Sequence, residues 1–155
     1  MASLTKIYDI QKLNGKVYTP EFIVNKILED IDYNSPEILG KTILDPACGD
    51  GRFLLCAAKR IIKFSPAKQL KENLEKIYGW DIDKQAIDKC KKKLNKLITT
   101  FDFQIEWNIT KCNSIEKLQI QNLFHQSETA KFDFIVGNPP YIRIQHLDEG
   151  QRKYI

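Results

Sequence analysis

The sequence predicts an α/β fold built on a parallel sheet. Three observations point there: short apolar runs alternate with amphipathic helical stretches, one of those runs leads directly into a glycine-rich turn and a helix, and the strand-then-helix unit recurs further along. At 155 residues, 43% of them hydrophobic, the chain has the length and composition to bury a core of its own.

Taken in order, Thr19-Pro20 opens a first helix, with Thr19 suited to cap it and Pro20 to sit in its first turn. Phe22, Ile23, Lys26, Ile27 and Asp30 then follow helical spacing with one apolar side. Thr42 to Asp45 reads as a buried strand stopped by Pro46, followed by a glycine loop and a helix from about Arg52 to Lys63. Ser65-Pro66 breaks the chain before a short charged helix around Lys68 to Glu75, and Ile77 to Ile82 forms a second strand. A lysine-rich helix from Lys84 to Lys96 follows, its apolar points being Ile87, Leu94 and Leu97. A third strand is expected within Phe103 to Cys112, its edge blurred by Asn108 to Lys111, and Phe132 to Val136 is the fourth. Between those two, Glu116 to Ala130 reads as a short helix and a polar loop.

Composition narrows the function classes without choosing one. The net charge of +4 permits nucleic-acid binding but does not argue for it, because lysine-rich helices are usually solvated faces. Cys48, Cys56, Cys90 and Cys112 form no C-x-x-C pair, so neither a zinc site nor a disulfide framework is suggested, and no metal is expected. No apolar run has the length to cross a bilayer, and Met1 to Asn14 lacks the pattern of a secretory signal; a cytoplasmic protein with no membrane partner is the expectation.

Three segments carry chemistry. Asp45-Pro46-Ala47-Cys48-Gly49-Asp50-Gly51 joins a strand to a helix through two glycines, which allow a tight turn and close ligand approach. It lacks the third glycine of a dinucleotide fingerprint, and its acids, Asp45 and Asp50, suit a cationic ligand better than a diphosphate. S-adenosylmethionine, with an ammonium, a sulfonium and no phosphate, has those charges; an ordinary strand-helix turn with a solvated Asp50 fits this loop equally well when it is taken alone. In Gly79 to Asp83 an acid ends the second strand: Asp81 there can accept from both hydroxyls of a ribose, with Ile82 covering an adenine face, while Asp83 is assigned to capping. Taken as an isolated aspartate, Asp81 reads as a plain strand end, the more common fate of such residues.

The fourth strand ends in Asn138-Pro139-Pro140-Tyr141. Two prolines delete two backbone donors, leaving outward carbonyls beside the Asn138 carboxamide. An aromatic amine is a poor nucleophile because its lone pair is delocalised into the ring; acceptors at Asn138 and the Pro139 carbonyl that grip its hydrogens favour the tetrahedral geometry that frees the pair. Tyr141 offers a flat surface for a base turned out of its duplex. Alone, the same four residues describe a proline-stiffened turn with a packing tyrosine.

Together, GKVYTP at 15 to 20, ILDPACGDGRFL at 43 to 54, YGWDID at 78 to 83, KCNSI at 111 to 115 and FDFIVGNPPYI at 132 to 142 resemble, in order and spacing, the motifs of the amino-methylating DNA methyltransferases, in the γ arrangement that puts catalytic motifs first and target recognition last. The resemblance implies a Rossmann-like S-adenosylmethionine-dependent methyltransferase fold with strand order 3-2-1-4-5-7-6. Of that sheet this chain holds an incomplete part, about four parallel strands flanked by helices. Residues 1 to 155 are accordingly expected to be the amino-terminal part of a catalytic domain, with the remaining strands and the target recognition domain elsewhere and the fourth strand an exposed edge unless covered.

The same resemblance implies adenine N6 methylation of double-stranded DNA in a restriction-modification system, with a cognate restriction endonuclease as a possible companion. It places Tyr18, Thr19 and Pro20 near the methionine end of the cofactor, joining Asp45, Ala47, Cys48, Gly49, Gly51, Asp81, Ile82 and Asn138 in the cofactor site. Asn113 stands where the family usually has aspartate, accepting from the cofactor's adenine amino group without a charge, or else simply turning the chain. His125 and His146 match no catalytic position, and Arg143 reads as a phosphate contact or an exposed structural arginine. Protein-glutamine and RNA methyltransferases, a non-catalytic S-adenosylmethionine-binding module and, last, a nicotinamide-binding oxidoreductase domain are the competing classes.

Overall fold

Strand formation here follows from apolar runs too short for a helix and cut off by Pro46 or by acids. A computed structural model describes residues 19 to 114 and 132 to 139, of which Thr19–Asn138 form one compact unit. In chain order the elements are α1 (Glu21–Asp30), β1 (Ile43–Asp45), α2 (Arg52–Phe64), α3 (Leu70–Leu74), β2 (Ile77–Asp81), α4 (Lys84–Leu97), β3 (Asn108–Lys111) and β4 (Phe134–Ile135). The four strands form one parallel sheet in the order β3-β2-β1-β4, as the resemblance implied for the first four strands. The expected helix and polar loop at 116 to 130 lie outside the described residues.

Register is set by burial and by a clamp. Ile43 and Leu44 of β1 are buried and pair with Phe134 and Ile135 of β4 on one side, and with Ile77 and Tyr78 of β2 on the other. At the start of the β1–β4 pair, the Asp133 carboxylate accepts from the Thr42 backbone (2.7 Å) and the Thr42 hydroxyl (2.8 Å), and the Asp133 backbone donates back to that hydroxyl (3.0 Å). Among the described residues β4 borders β1 alone, and Ile135 is 64% exposed.

The helices bury apolar stripes against this sheet. Helix α2 turns Phe53, Leu54, Ala57, Ala58 and Ile61 inward, and α4 turns Ile87, Cys90 and Leu94 inward. Asp83 caps α4 as assigned, accepting from the Gln85 (2.9 Å) and Ala86 (3.4 Å) backbone. Three of the thiols, Cys48, Cys56 and Cys90, are core residues.

Three local expectations are corrected. Helix α1 buries Val24 and Leu28, leaving Phe22 72% and Ile23 38% exposed, because the face toward α2 begins one position later than the first apolar pair suggests. Pro20 is the N-cap of α1, and no side chain caps it; the Thr19 hydroxyl is engaged elsewhere. Asn108 to Lys111, expected to blur the edge of β3, are β3 itself: Ile109 is buried, and the polar side chains stand on a strand whose far side has no neighbour among the described residues.

Gly51, in the left-handed region at φ +87°, is where α2 and α4 meet: a Cβ there would overlap the Cys90 Sγ. Gly51→Ala is therefore expected to destabilise the fold by about 2–4 kcal/mol, combining backbone and packing penalties. In a Cys90→Ala background the Sγ overlap is removed while the Cβ at position 90 stays 3.1 Å away, so the loss should shrink toward the backbone part, about 1–2 kcal/mol. Urea denaturation of the four variants checks this, and equal losses in both backgrounds would refute it.

Candidate functional site

The carboxyl ends of β2, β1 and β4 lie together at the point where strand order reverses, the place where open α/β sheets bind ligands. Strand β1 ends in Asp45 and passes through Pro46 into the glycine loop, β2 ends in Asp81, and β4 leads through Val136 and Gly137 to Asn138.

The loop is held by hydrogen bonds from below. The Cys48 N–H donates to the Trp80 carbonyl (2.9 Å), the Gly51 N–H to the Cys48 carbonyl (2.8 Å), and the Gly49 N–H to the Asp81 Oδ2 (2.7 Å). A Cβ built on Gly49 (φ +52°) would meet nothing within 4 Å, so the loop faces open space there. Cys48 turns its thiol into the core, where the neighbouring Cys90 thiol and burial push it well above its ordinary range. What Cys48 presents to the site is backbone.

Asp81 is oriented from two sides, since its Oδ1 accepts from the Asp83 N–H (2.8 Å) while its Oδ2 holds Gly49. Each oxygen keeps a further lone pair, so a carboxylate fixed in this way can still accept from a ligand. Ile82 beside it is 67% exposed, an apolar surface at the edge of the site. The Cys112 N–H donates to the Asp81 carbonyl (3.0 Å), tying the end of β3 to the end of β2, and exposed Asn113 follows directly. The Ser114 hydroxyl donates to the Pro46 carbonyl.

Asp45 is the electrostatic centre. It is 2% exposed, and its Oδ1 accepts from the Ala47 N–H at 3.1 Å. Burial pushes its carboxyl up to about 7; the Ala47 bond opposes the rise and the nearby Asp81 charge adds to it. Gly137 is what lets β4 approach, because a Cβ there would come within 2.7 Å of the Asp45 Oδ1.

Asp50, read in the sequence as either solvated or suited to a cationic ligand, is paired within the protein. Lys93 pairs with its Oδ2 at 2.6 Å and Arg52 lies 3.5 Å from its Oδ1, so the protein's own cations occupy it. Arg52 also donates to the Thr19 carbonyl (3.2 Å), and the Thr19 hydroxyl accepts from the Asn138 Nδ2 at 3.1 Å. Thr19 is 8% exposed, so this bond sits in a sheltered place.

Of the residues singled out in the sequence, Thr19, Asp45, Ala47, Cys48, Gly49, Gly51, Asp81 and Asn138 converge in one unit, with Ile82 and Asn113 at its rim. Pro20 and Pro139 are exposed. Tyr18, Pro140, Tyr141, His125, Arg143 and His146 lie outside the described residues.

A sequence profile of N-6 DNA methylases matches residues 5–153. The chain belongs to the N-6 DNA methylase family. Among curated relatives of this N-6 DNA methylase chain, the Type II methyltransferase M.BstVI of Geobacillus stearothermophilus is 32% identical over 92% of the chain, and M.VspI of Vibrio sp. (strain 343) is 30% identical over 90%. The chain spans 27% and 28% of their respective lengths. A solved structure described as a modification subunit assigned to a type I restriction enzyme of Vibrio vulnificus YJ016 superposes with a TM-score of 0.60 at 25% identity, covering 88% of this chain and 26% of that one. The fold is thus the Rossmann-like methyltransferase fold, and the described strands follow its 3-2-1-4 order.

Sequence reasoning missed Gly137, Arg52, Lys93 and Ser114. Only Gly137 left a local signal, a glycine at a strand end, which marks close backbone approach. The others act across the fold, Lys93 on a residue 43 positions away and Ser114 on one 68 away.

Because the folded pKa of Asp45 is raised from 3.8 to about 7, its contribution to stability is fully present below pH 4 and is lost as pH rises through about 7. Asp45→Asn keeps an acceptor for Ala47 and removes the buried charge. It is expected to raise the unfolding free energy by about 2–4 kcal/mol at pH 8 and by almost nothing at pH 4. Denaturant titrations at the two pH values check this; a gain independent of pH would rule out a buried, titrating Asp45.

Proposed function

We propose that this chain is the cofactor-binding and catalytic-loop part of a cytoplasmic DNA adenine N6-methyltransferase of a restriction-modification system, acting on an adenine flipped out of double-stranded DNA and working beside a cognate restriction endonuclease. The observation that carries the proposal is convergence: an acidic glycine loop, a carboxylate held by two backbone amides and an acceptor side chain reach one end of the sheet from three separate segments.

The residues fit S-adenosylmethionine. Its ammonium and sulfonium suit the buried Asp45 carboxyl, and the open space over Gly49 admits a ligand without collision. Tyr18, Thr19 and Pro20 would serve the methionine end, with Ala47, Cys48, Gly49 and Gly51 lining it by backbone. Asp81 would accept from the ribose hydroxyls, Ile82 cover the adenine and Asn113 accept from the adenine amino group. When bound, the cofactor supplies an electrophilic methyl group.

The chain's own part in the reaction is to prepare the amine. The Asn138 Oδ1, with the carbonyl of Pro139 next in the chain, accepts the two hydrogens of the target amino group, so its nitrogen moves toward tetrahedral geometry with the lone pair free. Pro140 would stiffen the turn, and Tyr141 would stack on the extruded base, a contact worth about 1–3 kcal/mol.

Calorimetric titration with S-adenosylmethionine is expected to show binding at about micromolar Kd. Asp81→Asn should weaken it about 10- to 100-fold through lost charge-assisted hydrogen bonds. Because a cation beside Asp45 favours the ionised form, the wild-type Kd should tighten as pH rises from 6 toward 8, with proton release into the buffer. Methyl transfer is tested by offering the full-length protein labelled cofactor with unmethylated DNA, RNA and a glutamine-bearing release-factor protein. N6-methyladenine in DNA alone is the expected product; label in RNA or protein, or in none, would sink the DNA assignment.

A further inference from the structure

We infer that Thr19 is a positioning residue that sets the polarity of the Asn138 carboxamide. This rests on the proposed function, because the orientation of that amide matters only if its oxygen is to grip an amine.

A carboxamide has an acceptor end and a donor end of nearly equal size, so its neighbours decide which end faces a substrate. At Asn138 the neighbour is the Thr19 hydroxyl, 3.1 Å from Nδ2, across 119 residues of sequence. With Nδ2 committed to Thr19, the Oδ1 is left as the acceptor. The reverse arrangement, with the hydroxyl donating to Oδ1, would turn two N–H donors toward an amine that itself brings donors.

Both partners are held independently of each other. Thr19 is 8% exposed, and its carbonyl accepts from Arg52 at the head of α2; Arg52 lies beside Asp50, which Lys93 of α4 pins at 2.6 Å. Asn138 is held from the other side by the β1–β4 pairing and the close approach of Gly137 to Asp45. Two rigid anchors therefore fix a 3.1 Å separation that neither segment would define alone. The Thr19 hydroxyl spends an acceptor lone pair in this bond and keeps its proton, which remains available to a ligand carboxylate.

The test reads the amide directly. In a ¹⁵N–¹H spectrum of the ligand-free wild-type chain, the side-chain pair of Asn138, identified by its absence in Asn138→Asp, should show one proton shifted downfield and slowed in solvent exchange. Thr19→Ser should keep that signature and Thr19→Val should lose it. In the full-length enzyme at saturating S-adenosylmethionine, kcat should fall about 3- to 10-fold in Thr19→Val and recover in Thr19→Ser. Two equally fast-exchanging amide protons in the wild type would overturn the inference even if Thr19→Val failed to fold, as would a folded Thr19→Val with the signature intact. The spectrum contains neither DNA nor cofactor, so an enzyme that failed to methylate DNA would strike the proposed function and leave this bond standing.

Discussion

Everything at the site depends on the parallel pairing of β1 with β4, made by strands of only three and two residues. So short a ladder has little register preference of its own, and a slip by one residue would send every side chain to the opposite face. The reciprocal Thr42–Asp133 bonds remove that freedom at one end, and they hold the Asp133 carboxyl below its ordinary range through hydrogen bonds from the Thr42 backbone and side chain. At the other end Gly137 admits the Asp45 carboxyl where any larger residue would collide with it. Between the two, Phe134 meets Tyr33 edge-on at 4.9 Å, so the pairing is braced from the α1 side as well.

That pairing creates an electrostatic asymmetry. Asp50 is neutralised by Lys93 and Arg52, and Asp81 is satisfied by two backbone amides, whereas buried Asp45 accepts, among the described residues, from the Ala47 N–H alone. A carboxylate with so little compensation in a low-dielectric place keeps its proton until about pH 7. On the proposed function, stability is given up where a ligand charge would restore it, which is a common arrangement at binding sites. The three acids of this region differ in environment rather than in chemistry, and only the fold tells them apart.

What could be read from the chain beforehand divides along the same line. Strands β1 and β2, helices α2 and α4, the glycine loop and the Asp83 cap are written in short-range patterns: apolar runs, 3.6-residue periodicity and a side chain facing amides two and three residues on. The buried face of α1 was misread because Phe22 and Ile23 are as apolar as Val24 and Leu28, and which pair faces α2 is decided by packing. Strand β3 was hard to bound because Asn108, Thr110 and Lys111 are polar, as edge positions permit. Asp50 looked like a ligand group because its cation lies 43 residues away. Thr19 looked like a cap because Thr-Pro before a helix ordinarily is one, and nothing near it in the sequence points to Asn138.

Thr19, Arg52, Asp50 and Lys93 form one chain of contacts ending on Asn138, although Lys93 lies outside every motif segment and Arg52 falls inside one only as a spacer. A motif match guarantees the acceptor and says nothing of which way it faces. Hydrogen bonds of this kind are each worth little to stability, about 1 kcal/mol, so they are poorly explained as devices for holding the fold together. Their effect on orientation is larger, because a carboxamide turned over exchanges an acceptor for two donors at the point of reaction. On the proposed function the glycine loop has two tasks: its inner surface would shape the ligand space, and its outer charges, through Arg52 and Thr19, would aim the side chain that meets the base.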